Sequence, residues 1–139
     1  MIEVKCSYTS MVPLSELKVN PRNNNIHSQK QIEVLAKLIQ DLGMRSPIVV
    51  SNRSGLIVKG AGRYEALKHL GVDSAPIDFQ DYDSDLDEMR DLTADNRIAS
   101  YAEFDLQMFD ATLKEFDLDY NAIDLESWGM LDIEVDFSE

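Results

Sequence analysis

Gly60-Ala61-Gly62-Arg63 lies between an apolar run, Leu56-Ile57-Val58, and a helical pattern that starts at Tyr64. Two glycines let the backbone come close to a ligand. Free N–H groups at a helix start point outward, and the helix dipole favours negative charge there. Arg63 could add a forked, charge-assisted contact to a phosphate. The other reading is a tight strand-to-helix turn, with the glycines serving geometry and Arg63 in solvent. Glu65 would point away from Arg63 on a helix. It is either a solvated helix residue or a carboxylate that holds a metal or a proton near the phosphate.

Two further constellations could join this turn. Arg22, Asn23, His27 and Ser28 belong to a polar loop, Asn20-Pro21-Arg22-Asn23-Asn24-Asn25-Ile26-His27, ahead of a helix. Such a loop could close over an anion. Its plain alternative is a surface histidine beside a capping serine. Arg22, flanked by Pro21 and Asn23, has little core role. Asp95-Asn96-Arg97 falls inside a helical stretch, where asparagine is a poor former. It reads as a structural network or as a ligand-binding group.

Other chemistries lack their residues. There is no Walker motif, no nucleophile elbow and no Cys/His metal spacing. His27 and His69 are the two histidines, too few for a histidine-rich metal site.

These groups need elements to position them. Met11 to Leu17 reads as a short strand running into a turn. Ser28 with Gln31 forms a capping box. Ile32, Leu35, Ala36, Ile39 and Leu42 follow at helical spacing, stopped by Gly43. Pro47-Ile48-Val49-Val50 and Leu56-Ile57-Val58 read as strands around the turn Asn52-Arg53-Ser54-Gly55. Tyr64, Ala66, Leu67 and Leu70 make a second helix, ended by Gly71. Ala75-Pro76-Ile77-Asp78-Phe79 is a third strand, and its proline suits a strand start or an edge. Helical patterns follow from Ser84 and, after a break near 101–103, from Leu106 to Phe116. Residues 121–127 read as a short helix. Leu131, Ile133, Val135 and Phe137 alternate with acids, as in a half-buried strand or one that adds to a partner's sheet edge.

The chain has 139 residues, 44% hydrophobic, enough for one domain with a real core. Its one cysteine, Cys6, excludes an internal disulfide and fits a reducing compartment. No apolar run approaches the ~18 residues of a membrane helix, and the N-terminus lacks a signal-peptide pattern. The protein is expected to be cytoplasmic, with no membrane partner. The net charge is −13, and residues 115–139 hold nine acids and no base. That balance argues against a broad non-specific DNA-binding surface. The acidic end serves solubility or binds a partner.

In order, the Pro-Leu-Ser-Glu-Leu segment, the Asn-Pro-Arg-Asn loop, Pro-Ile-Val-Val, the Gly-x-Gly-Arg-x-Glu-Ala turn, Leu-Gly-Val and Asp-Asn-Arg-Ile-Ala resemble the ParB/sulfiredoxin superfamily. The resemblance covers roughly residues 11–116 and is closest to short ParB-like domains of phages and mobile elements. It implies an α/β (α+β) fold, a small mixed sheet with flanking helices and a strand-turn-helix phosphate site. It implies a domain over 1–116 and an acidic extension over 117–139. In partition proteins of this family the turn and a polar helix bind CTP and hydrolyse it. On that pattern Gly60, Ala61, Gly62 and Arg63 cradle phosphates, with Arg22, Asn23 and His27 closing the site and Arg97 assisting. Asn96 and Asp95 face a metal, and Glu65 and Asn96 are the catalytic candidates. Ala61 and Gly62 replace the Glu and Arg of partition proteins, and the Cys and His of sulfiredoxins, which excludes sulfiredoxin chemistry.

The expected function is binding of CTP or ATP with Mg²⁺, with weak NTPase or phosphotransferase activity, in phage or plasmid DNA maintenance or modification. The partner would be DNA or a DNA-processing protein, and a homodimer is left open. Two rivals stand beside it: a metal-dependent nuclease using Asp95 and Glu65, and a non-enzymatic acidic interaction protein.

Overall fold

The computed structural model describes residues 2–23, 26–100 and 106–116. The expected break near 101–103, the helix over 121–127 and the alternating segment 131–137 lie outside them. The chain divides into two compact units, Met1–Ser100 and Tyr101–Glu139.

The first unit holds four strands: β1 (Ser10–Pro13), β2 (Ile48–Ser51), β3 (Ile57–Lys59) and β4 (Ser74–Gln80). It also holds three helices: α1 (Gln29–Leu42), α2 (Ala61–His69) and α3 (Asp85–Ser100). A 3₁₀ turn over Leu14–Glu16 follows β1, as the strand-into-turn pattern implied. The strands form one mixed sheet in the order β1-β4-β2-β3. β4 pairs antiparallel with β1 and parallel with β2, and β2 pairs antiparallel with β3. Ile48 and Ile77 face each other in the parallel register, and both are fully buried. α1 packs on α2, and α2 on β2, to enclose the core with Ala36, Ile39 and Leu67.

β4 corrects one expectation. Its proline suggested an edge or a strand start, yet β4 is an interior strand and Pro76 is its third residue. The register explains why this is tolerated. The Thr9 N–H donates to the Ile77 carbonyl at 2.8 Å, so Ile77 turns its backbone groups toward β1. Pro76, one residue earlier, turns toward β2. Pairing with β2 begins only at Ile48↔Ile77, so the missing N–H faces a position before that ladder starts.

α1 begins and ends as its sequence implies. The Gln31 N–H donates to Ser28 Oγ at 3.1 Å, and Gly43 stops the helix at φ +82°. The reciprocal half of the capping box is redirected, because Gln31 Oε1 sits 3.0 Å from His27 Nδ1. Leu42, placed on the apolar face by spacing, is 43% exposed. Beyond Gly43, Met44 bonds to the N-terminal segment through Glu3 and Lys5.

α3 lies against β3. Asp85, Glu88, Asp91 and Asp95 share one side of it at spacings of three and four. Arg53 binds Asp85 at 2.7 Å, the Ser54 hydroxyl donates to Glu88 at 2.8 Å, and Lys59 meets Asp91 at 3.3 Å. The apolar anchor is Leu92, which is fully buried.

In the second unit, α4 runs over Leu106–Glu115, as its helical spacing predicts. Leu113 is buried, and Met108 and Phe116 are exposed. Lys114 pairs with Asp110 at 3.0 Å. No helix among the described residues is long and apolar enough to cross a membrane.

Candidate functional site

The glycine turn is the N-terminus of α2. Gly60 is the N-cap, with φ +97° and ψ 22°, a left-handed conformation that β-carbon sterics penalise in other residues. It has no side chain to cap with, so the first-turn N–H groups of α2 keep their capacity for an outside acceptor. A Cβ at Gly60 would lie 2.9 Å from Arg63 Nη2 and 3.2 Å from Ile48 Cγ1. At Gly62 it would lie 3.1 Å from both His27 Cε1 and Leu35 Cδ1. The two glycines therefore make room for different things, Gly60 for Arg63 and Gly62 for His27.

The polar loop comes to the same place. Val19 bridges to Ile57, and the Ile57 N–H donates to the Lys18 carbonyl at 2.9 Å. This pins the loop's start beside β3, just before the glycine turn. Asn20 is buried and builds the bend. Its Oδ1 accepts the Arg22 N–H at 2.9 Å, and its carbonyl accepts the Asn23 N–H at 3.0 Å. The loop and helix then enclose a cavity of about 400 Å³, lined by Val19, Asn20, Pro21, Asn23, His27, Ile32, Ala61 and Glu65. Four residues singled out from sequence thus meet there: Asn23, His27, Ala61 and Glu65. A larger cavity of about 650 Å³, lined by Met11, Met44 and Leu67 among others, contains none of the nominated residues.

Arg63 faces elsewhere. Its Nη2 donates to the Pro47 carbonyl at 3.0 Å, and its Nε is buried without a partner. Burial pulls its pKa below the ordinary arginine value, and the charges of Asp95 and Cys6 oppose that shift. Asp95 is exposed on α3. Arg22 and Arg97 are exposed, and Asn96 lies on α3 between Asp95 and Arg97. Glu65 Oε2 pairs with Lys68 at 3.2 Å, and Lys68 also lies 4.6 Å from the Tyr64 ring centroid. Among the described residues, no group of three or more His, Cys, Asp or Glu side chains is arranged to hold a metal ion.

Sequence reasoning missed Cys6 and Asn20. Burial raises the Cys6 thiol pKa, and Arg63 draws it back down. Nothing local to Cys6 signals Arg63, because the fold alone brings them close. Asn20 was legible only as turn chemistry, and its burial depends on the Val19 bridge.

Comparison with known proteins gives a consistent result. A family model described as the ParB N-terminal domain matches residues 3–96. The ParB-like nuclease domain-containing protein YnaK of Escherichia coli (strain K12) is 34% identical over 65 residues, 47% of this chain and 74% of that protein. The C-terminally truncated partitioning protein ParB of Caulobacter crescentus, complexed with CTP-gamma-S, matches with a TM-score of 0.65 at 21% identity. That match covers 86% of this chain and 70% of the other. The same protein complexed to the centromeric parS site gives 0.54 at 18% identity, covering 87% and 65%. At these identities the structural likeness is one of fold.

Proposed function

The chain belongs to the ParB N-terminal domain family, and on that premise we propose that it binds a nucleoside triphosphate, CTP or ATP, at the Gly60 turn. The observation that carries the proposal is the uncapped α2 N-terminus at Gly60, with a polar loop enclosing a cavity beside it. Phosphate oxygens suit this end of a helix, where N–H donors and the dipole act together. Gly60 allows the left-handed turn, and Arg63, held on the Pro47 carbonyl at 3.0 Å, steadies it.

In this reading the backbone of Gly60, Ala61, Gly62 and Arg63 holds phosphate oxygens. Asn23 and His27, which line the cavity, and the exposed Arg22 and Arg97 are the side chains assigned to the nucleotide. Mg²⁺ needs only one or two protein ligands when phosphates supply others. Asp95 and Asn96 are the groups assigned to it, and the ion would neutralise phosphate charge. The remaining expectations keep their place here: weak NTPase or phosphotransferase activity with Asn96 and Glu65 as the chemical groups, and a role in phage or plasmid DNA maintenance or modification. The ParB structures, in complexes with CTP-gamma-S and with parS, support nucleotide and DNA as the ligand classes to test.

Isothermal titration of the full chain with CTP, ATP and GTP in the presence of Mg²⁺ tests the proposal. Binding of one or more below millimolar is expected. Absence of binding by all three sinks it.

A nuclease reading draws on one observation, the relation to YnaK, whose name includes a nuclease domain. Incubation of plasmid with Mg²⁺ or Mn²⁺ separates the two, since nicking is expected only for the nuclease.

A further inference from the structure

We propose that Glu65 is a specificity-determining residue that selects nucleobases carrying an exocyclic amine on the edge opposite the glycosidic bond, as in cytosine and adenine. The inference rests on the nucleotide-binding reading above, assigns the cavity beside the turn to the base, and gives Glu65 to the base in place of the chemical role named there.

The cavity's lining divides by chemistry. Val19, Pro21, Ile32 and Ala61 give it apolar walls. Glu65 is the one formally charged residue in the lining, and it is negative. Lys68 is engaged by Glu65 at 3.2 Å, and Arg63 is turned away to the Pro47 carbonyl. The lining thus offers a triphosphate neither lysine nor arginine, whereas the flat, uncharged end of a nucleotide fits apolar walls. The phosphates then stay outside, along the α2 N-terminus.

Glu65 decides which base enters. An ionised carboxylate only accepts hydrogen bonds. The amine at position 4 of cytosine or 6 of adenine donates one. The keto oxygen of uracil or hypoxanthine at the same place would set lone pairs against lone pairs. A fully buried acceptor can reject the wrong analogue by ~10⁴-fold. The Glu65 side chain is 35% exposed and shared with Lys68, so discrimination on the order of tenfold is expected here.

The experiment titrates the full chain with CTP, UTP, ATP, ITP and dCTP, each with Mg²⁺, for the wild type and Glu65→Gln. Glutamine keeps the shape but presents both a donor and an acceptor. The expected result is a preference of roughly tenfold for CTP over UTP and for ATP over ITP, collapsing toward equality in the variant. A second variant, Lys68→Met, frees the carboxylate from its partner and is expected to sharpen the preference, so the test survives misfolding of the first. Equal binding of CTP and UTP by the wild type overturns the proposal. So does an equal loss for every nucleotide in Glu65→Gln, which would place Glu65 on a metal. A change confined to the CTP/dCTP ratio would put it on the ribose and overturns the proposal too. Failure of the chain to bind any nucleotide is a different result, and it removes the nucleotide-binding reading itself.

Discussion

Arg63 Nη2 donates to the Pro47 carbonyl at 3.0 Å, sixteen residues back along the chain. The bond ties the first turn of α2 to the residue just ahead of β2. It makes the arginine of the glycine turn part of the scaffold. The turn's preorganised donors are therefore backbone N–H groups, held in place by a side chain that faces the other way.

Arg63→Met should remove that tie and leave the Pro47 carbonyl without it. A loss of about 1–3 kcal/mol is expected in urea unfolding. Arg63→Lys should recover little of it, because an ammonium lacks the fork that reaches Pro47 while packing on Gly60. Full recovery by lysine would show that charge, not the directed bond, holds the turn.

Gly60→Ala and Gly55→Ala make a matched pair. Both glycines have positive φ, +97° and +76°, but a Cβ at Gly55 meets nothing within 4 Å. Gly55→Ala should cost only backbone strain, about 1–2 kcal/mol. Gly60→Ala adds a clash with Arg63 and Ile48 and should cost roughly 2–4 kcal/mol. It should weaken nucleotide binding as well. Equal destabilisation of the two variants would mean that the crowding at Gly60 relaxes freely.

The attachment of α3 should depend on two buried groups more than on its surface ion pairs. Leu92→Ala should cost about 2–5 kcal/mol. Ser54→Ala deprives buried Glu88, whose other oxygen already lacks a partner, and should cost about 1–3 kcal/mol. Asp85→Asn breaks the exposed pair with Arg53 and should leave the unfolding midpoint unchanged. A large shift for Asp85→Asn with none for Ser54→Ala would reverse this order.

Tyr82 gives a pH signature. Burial first, then its 2.6 Å hydrogen bond to Asp91 and the charges of Asp91, Glu88 and Asp78, raise its pKa above that of a free tyrosine. The folded state therefore keeps a proton that the unfolded state releases. This contribution is fully present below the unfolded pKa of about 10 and is lost as pH rises from there toward the folded value. Tyr82→Phe should flatten the stability profile above about pH 10 relative to wild type. Identical alkaline slopes for the two proteins would count against it.

The sequence made the local features legible. Ser28, Gly43 and Gly60 mark element ends through backbone chemistry that needs no partner, and each stands where its pattern implies. Asn23, His27, Ala61 and Glu65, far apart in pattern, line one cavity. What was hidden depends on distant pairing. Pro76 looked like an edge residue because strand order cannot be read from a strand's own composition. The direction of Arg63 depends on Pro47, and its electrostatic neighbours Cys6 and Asp95 come from opposite ends of the unit. A spacing rule sees residues within a few turns of each other, and these lie far beyond that.

The bonds from Thr9 to β4 span 69 and 70 residues. A ribosome must therefore release nearly the whole first unit before β1 can find its partner. The β2–β3 hairpin and α2 can form earlier from neighbouring segments, but the strand ahead of the polar loop is secured only when β4 emerges. The cavity is thus completed late in synthesis. A chain cut before Ser74 would carry the glycine turn without the β1–β4 pairing that steadies its cover, and a nascent chain at that stage should gain little protection from ligand.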